Sequence, residues 1–132
     1  RTACRRMTIV VDTSVLIDHL HGDERAHRTL RAAADDGERL VASVVTKVEL
    51  LAWMRADEEP STRRLMRVLD WIPVDDVIAE QAGQLANRYV RSHPGVDPVD
   101  YIIAATTRTL DAALWTRNVK HFPMIVGLTP PY

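Results

Sequence analysis

Residues 8–18, TIVVDTSVLID, contain the signal that decides the fold. The β-branched run before Asp12 predicts a short buried strand, and Asp12 closes it. Thr13 and Ser14 favour a helix N-terminus, and the apolar residues after them have helical spacing. This stretch therefore predicts a strand that ends in an acid and leads directly into a helix.

The same alternation of strand and helix recurs along the rest of the chain. Further strands are predicted at residues 40–43, 71–74 and 113–116, with a fifth at 124–126. Helices are predicted at residues 24–36, 46–55 and 75–92, and from residues 60 and 98. Because strands that alternate with helices form parallel sheets, we expect a three-layer α/β/α sandwich with a mostly parallel sheet of four or five strands.

The length of 132 residues predicts one domain. Residues 1–6 precede Met7 and the start of the hydrophobic pattern. We interpret them as an N-terminal extension, either native or added, and residues 7–132 as a single domain. The extension holds the one cysteine, Cys4, so disulfides and Cys-based zinc sites are excluded from the body and a reducing cytoplasm is expected. No apolar run approaches the ~20 residues of a membrane span.

The charge balance constrains any interaction with nucleic acid. The formal net charge is −1, and without the three arginines of the extension it is more acidic still. An acidic protein that binds RNA must gather arginine locally or recruit metal cations to meet the phosphates.

Polar residues follow successive predicted strands. Asp12 ends the first strand, Glu49 is expected in the first turn of the helix after the second, Asp100 opens the helix after Pro98, and Asn118 follows the fourth strand. All four should therefore meet at one edge of the sheet, where ligands of such folds bind. Three carboxylates gathered there would repel one another and would suit Mg²⁺ or Mn²⁺.

Each acid also has a structural alternative. Asp12 could only cap the next helix, the spacing of Thr46 and Glu49 matches a capping box, and Asp97 and Asp100 sit where acids favour a helix N-terminus. The acids recur after successive strands, and the capping of separate helices does not require such a recurrence. This pattern therefore favours a shared functional site.

Four segments resemble the motifs of PIN domains, in the same order and over nearly the whole chain. They are residues 9–18, 45–51, 100–106 and 115–122. Within that superfamily the chain looks most like VapC-type toxins of type II toxin–antitoxin pairs. The resemblance implies a metal-dependent endoribonuclease of the cytoplasm, with Mg²⁺ or Mn²⁺ as cofactor.

The resemblance also assigns roles residue by residue. It implies that Asp12, Glu49 and Asp100 bind metal. Asn118 falls where many relatives have a fourth Asp, so a neutral ligand or a water-positioning role is expected there. Asp97 either joins the site or caps the helix. The residues expected to contact the acids, the scissile phosphate or the RNA are Thr13, Ser14, Thr116 and Arg117.

The partners implied by the resemblance are an RNA substrate, a cognate antitoxin and a second copy of the chain, in a homodimer and a toxin–antitoxin hetero-oligomer. The antitoxin should lay an amphipathic segment near the acidic groove. An apolar stripe of Leu65, Met66 and Leu69 with Trp53 and Met54 is either a dimer interface or part of the core, and we favour the core.

Two other functions stay open. A phosphotransfer enzyme could use Asp12 as nucleophile, but one large family of that kind has a second acid two residues later, where this chain has Ser14. A PIN fold could also hold RNA or protein without cutting it, an alternative that the Asn118 replacement keeps open.

Overall fold

The computed structural model describes residues 6–132 of the chain. Residues 1–5 lie outside the described residues, and with them most of the predicted extension and Cys4. The strands are β1 (Thr8–Val11), β2 (Arg39–Ser43), β3 (Asp70–Ile72) and β4 (Ala113–Trp115). They form one parallel sheet in the order β3-β2-β1-β4.

Six α-helices cover this sheet in the described part of the chain. They are α1 (Thr13–Leu20), α2 (Glu24–Asp35), α3 (Val44–Trp53), α4 (Glu59–Val68), α5 (Asp76–Tyr89) and α6 (Pro98–Thr109). Two short 3₁₀ turns add Ala56–Glu58 and Val119–His121. The predicted three-layer α/β/α sandwich is confirmed, with four strands. No helix within residues 6–132 has both the length and the apolar character needed to cross a membrane.

Each face of the sheet has its own hydrophobic core. Val10 and Val41 pack with α5 and α6 on one face. Val11 and Ala42 pack with α1 to α4 on the other. Because successive side chains of a strand point to opposite faces, strands buried on both faces must be apolar throughout. This requirement explains the uninterrupted apolar run that predicted β1.

The path of the chain creates a topological switch point at β1. From β1 the chain builds outward through α1 and α2 to β2, and through α3 and α4 to β3. It then crosses the opposite face through α5 and α6 and returns as β4 on the other side of β1. The carboxyl end of β1 therefore lies where the connections diverge, which is the position of ligand sites in open parallel sheets.

The predicted fifth strand at residues 124–126 is wrong, because the segment forms turns. Pro123 has no N–H to give to a sheet. Gly127 has a φ of +75°, which ends any extended run. The side chains of Phe122 and Met124 are instead buried in the core beside α5 and α6. Hydrophobicity at this segment indicated burial but not strand pairing.

Helix α3 begins earlier than predicted. Ser43 is its N-cap, and the Ser43 side chain accepts a hydrogen bond from the N–H of Val45 at 3.3 Å. The alternative interpretation of Thr46 and Glu49 as a capping box is therefore wrong, and Glu49 lies in the second helical turn rather than the first. Both side chains turn instead toward Thr13 of α1.

The stripe considered as a dimer interface divides into core and surface. Leu65, Met66 and Leu69 are buried within the core of this chain. Trp53 remains on the surface with 80% of its area exposed. The core interpretation is confirmed for Leu65, Met66 and Leu69. Trp53 does not belong to that core.

Candidate active site

Asp12 is the first residue beyond β1 and lies at the switch point. Its backbone occupies the N-cap position of α1, but its side chain makes no capping hydrogen bond to that helix. The capping interpretation of the Asp12 carboxylate is therefore wrong. Asp12 is only 5% exposed, and a buried carboxylate requires other partners.

Two hydroxyl groups hold the Asp12 carboxylate. Thr116, just after β4, donates to Asp12 Oδ2 at 2.7 Å, and Ser14 of α1 donates to the same oxygen at 2.8 Å. The backbone N–H of Asn118 donates to the Thr116 hydroxyl, and that of Arg117 donates to the Ser14 hydroxyl. Each hydroxyl therefore accepts from the backbone and has its proton free for Asp12.

A single hydroxyl group, that of Thr13, holds Glu49. The Thr13 hydroxyl donates to Glu49 Oε1 at 2.5 Å, and Thr13 Oγ1 lies 3.2 Å from the hydroxyl oxygen of Thr46. Burial raises the pKa of Glu49, the Thr13 hydrogen bond opposes this, and the charges of Asp12 and Asp97 raise it further. Glu49 is thus half-buried beside α1 and feels the other acids of the site.

Asp97 and Asp100 form a capping box at the start of α6. Each side chain accepts a hydrogen bond from the backbone N–H of the other residue, at 3.2 Å. The capping role considered for Asp97 is therefore present in the structure. Its charge also raises the pKa of both Glu49 and Asp100, so capping and membership of the acidic cluster are compatible.

Asp100 has the most perturbed of these carboxyl groups. Burial raises its pKa to about 6. The Asp97 N–H and the nearby His121 oppose this shift, and the charges of Asp97 and Asp12 add to it. His121 Nδ1 lies 3.5 Å from Asp100 Oδ2. Asp12 acts on both Glu49 and Asp100, which places the three acids in one electrostatic cluster.

The donor set of this cluster fits a hard divalent cation that keeps its own water. Carboxylate and hydroxyl oxygens surround the switch point, and burial, together with the charges of neighbouring acids, raises the pKa values of Glu49 and Asp100. Over residues 6–132, no three Asp, Glu, His or Cys side chains are close enough together to share one ion. Mg²⁺ commonly uses only one or two carboxylates and several waters, so this arrangement suits it.

The remaining predicted site residues lie on the loop after β4. The backbone of Asn118 is tied to Thr116, while the residue itself is exposed. Arg117 Nη1 donates to Asp18 Oδ2 at 2.9 Å, so its guanidinium is already paired. For the Arg117 guanidinium to contact RNA, as the sequence analysis expects, its ion pair with Asp18 has to break.

Three features escaped the sequence analysis. Thr46 was assigned to a cap but is fully buried beside Thr13. His121 is exposed, but it also lies against Asp100. Tyr132 donates a hydrogen bond to Asp18. Spacing from a strand end could have suggested Thr46. No local sequence pattern indicates that His121 lies against Asp100 or that Tyr132 binds Asp18.

A comparison with protein families identifies the fold. The model of the PIN domain matches residues 9–123. The chain belongs to the PIN-domain family. The match includes every acid of the cluster and all of the sheet except Thr8, the first residue of β1.

Two relatives of this PIN-domain chain are ribonucleases of Mycobacterium tuberculosis. Ribonuclease VapC19 is 42% identical over 93% of this chain and 98% of its own length. Ribonuclease VapC10 is 44% identical over 94% of this chain and 92% of its own length. Among solved structures, a toxin–antitoxin complex from Klebsiella pneumoniae has a chain that is 28% identical, with a TM-score of 0.77, and the match covers 94% of this chain and 98% of that chain.

Proposed function

We propose that this PIN-domain chain is a metal-dependent endoribonuclease that hydrolyses RNA phosphodiester bonds and acts as the toxin of a toxin–antitoxin pair. The observation that carries this proposal is the cluster of Asp12, Glu49 and Asp100 at the switch point of the sheet. The two mycobacterial relatives, both ribonucleases, support RNA as the substrate. Because RNA is present in the cytoplasm, we assign the activity to that compartment.

The cofactor in this proposal is Mg²⁺ or Mn²⁺, with Asp12, Glu49 and Asp100 as the proposed ligands, one or two of them binding it directly and the rest through bound water. Such a cation neutralises phosphate charge and lowers the pKa of a bound water. Hydrogen bonds within the chain orient these proposed ligands. Both hydroxyls on Asp12 occupy Oδ2, which leaves Oδ1 for a cation, and Thr13 likewise occupies one oxygen of Glu49. Asn118 can orient a water through its amide.

An antitoxin is the partner in this proposal, supported by the similarity to the Klebsiella complex. An apolar groove of about 380 Å³ lies between α1 and α3. Its apolar lining consists of Ile17, Leu20, Leu50, Trp53 and Met54. Leu50 in this lining directly follows Glu49 in the chain, so an amphipathic segment seated in the groove could reach the acids. A homodimer within a toxin–antitoxin hetero-oligomer belongs to the same proposal.

A non-catalytic RNA- or protein-binding module is the second candidate. Two points favour it: the resemblance places Asn118 where many PIN domains have an acid, and no three metal-binding side chains of residues 6–132 stand close enough to share an ion. Both candidates predict interaction with a partner, and they differ in whether RNA is broken.

Induced expression in a bacterial cell tests the toxin proposal. The intact chain should arrest growth and produce discrete RNA fragments within the first generation. Asp12→Asn should do neither, whereas Asp35→Asn, at an exposed ion pair with Arg31, should behave like the unchanged protein. Arrest with intact RNA would favour the binding module. Fragments that persist in Asp12→Asn would contradict the assigned site.

A further inference from the structure

Tyr132 joins two elements that flank the acidic cluster. Its hydroxyl donates to Asp18 Oδ2 at 2.7 Å, and Arg117 Nη1 donates to the same oxygen at 2.9 Å. The guanidinium of Arg117 lies 4.8 Å from the centroid of the Tyr132 ring, and that of Arg25 lies 5.4 Å from it. The ring also packs on the core beside α1 to α4. Tyr132 is thus bound through both its hydroxyl and its ring.

The contacts continue from Tyr132 to Asp12. Ser14 and Asp18 lie one turn apart on α1, so they share one face of that helix. Arg117 binds to both of them, through its backbone N–H to Ser14 and through its guanidinium to Asp18. Ser14 in turn donates to Asp12. A change at Tyr132 therefore reaches the acid through a short series of hydrogen bonds.

The charges argue against direct capture of phosphate by this cluster. Arg25 pairs with Asp23 at 2.9 Å, and Arg117 pairs with Asp18 at the same distance. Both guanidinium charges are therefore compensated, and an incoming phosphate would have to displace a carboxylate. The arrangement suits the fixing of a loop better than the binding of RNA.

We propose that Tyr132 is a positioning residue for Asp12: by holding Asp18 and Arg117 together, it fixes the loop of residues 116–118 against α1, and with it the two hydroxyls that orient the Asp12 carboxylate. The importance of this loop for catalysis rests on the proposed function. The hydrogen bonds of the loop are features of the structure and do not depend on that function.

Tyr132→Phe tests the proposal, because it removes the hydroxyl and keeps the ring. Amide hydrogen exchange at Arg117 and Asn118 reports directly on the bonds to Ser14 and Thr116. Both amides should exchange about threefold to tenfold faster in the variant. Calorimetric titration of Mn²⁺ without RNA should show a dissociation constant that rises by about threefold to tenfold, less than for a residue that touches a metal ligand directly.

Tyr89→Phe is the matched control, because Tyr89 lies on α5 on the opposite face of the sheet and packs against His93. It should leave both measurements unchanged. Unchanged exchange at Arg117 and Asn118 in Tyr132→Phe would overturn the proposal, as would equal acceleration across the whole chain. If the unchanged protein bound no Mn²⁺ and cut no RNA, the proposed function would fail, while the exchange rates would still decide the role of Tyr132.

Discussion

At the scale of the residue, the orientation of Asp12 depends on the direction of four hydrogen bonds. The backbone N–H groups of Arg117 and Asn118 can only donate, so the hydroxyls of Ser14 and Thr116 must accept from them. Each hydroxyl then has one proton left, and Asp12 Oδ2 receives both. This directionality keeps one carboxylate oxygen occupied and the other available.

Thr116→Val tests this arrangement, because valine has nearly the same shape and lacks the hydroxyl. Loss of one donor to Asp12 should weaken Mn²⁺ binding by about 10–100-fold. The Asn118 N–H also loses its acceptor, which should cost about 1–3 kcal/mol of stability. Calorimetric titration of Mn²⁺ and urea unfolding measure the two effects. Thr109→Val, at an exposed bond to Gln81, is the control, and Mn²⁺ affinity equal to that of the control would contradict the role of Thr116.

Asp100 predicts a pH dependence of stability in metal-free protein. Its pKa in the folded state is about 6, above its usual value, so the folded state binds more protons than the unfolded state between about pH 4 and pH 6. Its contribution therefore favours folding at low pH and is lost as the pH rises through about 6. Asp100→Asn should raise the melting temperature in EDTA at pH 7, and the gain should shrink toward pH 4. A gain of equal size at both pH values would show that the carboxyl charge is not its cause.

The same acid makes Mn²⁺ binding depend on pH in the opposite sense. A cation requires the charged carboxylate, so protonation of Asp100 and Glu49 competes with metal. Affinity for Mn²⁺ should fall as the pH drops through about 6. Calorimetric titrations at pH 5 and pH 7.5 check this, and equal affinity at the two values would exclude Asp100 as a ligand.

At the scale of the element, the sequence predicted the elements whose local signals agree with their burial. Strand β1 and helix α6 are examples, because an unbroken apolar run and a proline at the first helical position admit few alternatives. The start of α3 was missed because Ser43 and Thr46 are both good N-caps. Because β2 ends at Ser43, Ser43 rather than Thr46 is the N-cap of α3.

The turns at residues 122–127 replace the predicted fifth strand, and Gly127 provides a test of them. Its φ is +75°, and an added Cβ would meet nothing within 4 Å. Gly127→Ala should therefore lose about 1 kcal/mol through backbone strain alone. Gly95→Ala, equally open and without a positive φ, should be neutral or slightly stabilising. Urea unfolding measures both, and equal stability of the two variants would contradict the turn.

At the scale of the whole molecule, the strand order brings the site together. Asp12, Glu49 and Asp100 come from distant parts of the chain, and the sheet order places the elements that carry them around the end of β1. The sequence predicted this meeting because parallel strands share a carboxyl edge. It could not predict the contacts of Tyr132, Asp18 and Arg117, because no periodic pattern records long-range hydrogen bonds.

The central claim is that the acids at this edge drive metal-dependent RNA cleavage. Its most direct test is incubation of purified protein with total bacterial RNA in Mg²⁺, Mn²⁺ or EDTA, alongside Asp12→Asn, Asp100→Asn and the control Asp35→Asn. Discrete fragments that require metal, persist in the control and disappear in both site variants are the predicted result. Fragments that form in EDTA or persist in either site variant, or RNA that is bound but uncut in every condition, would contradict the claim.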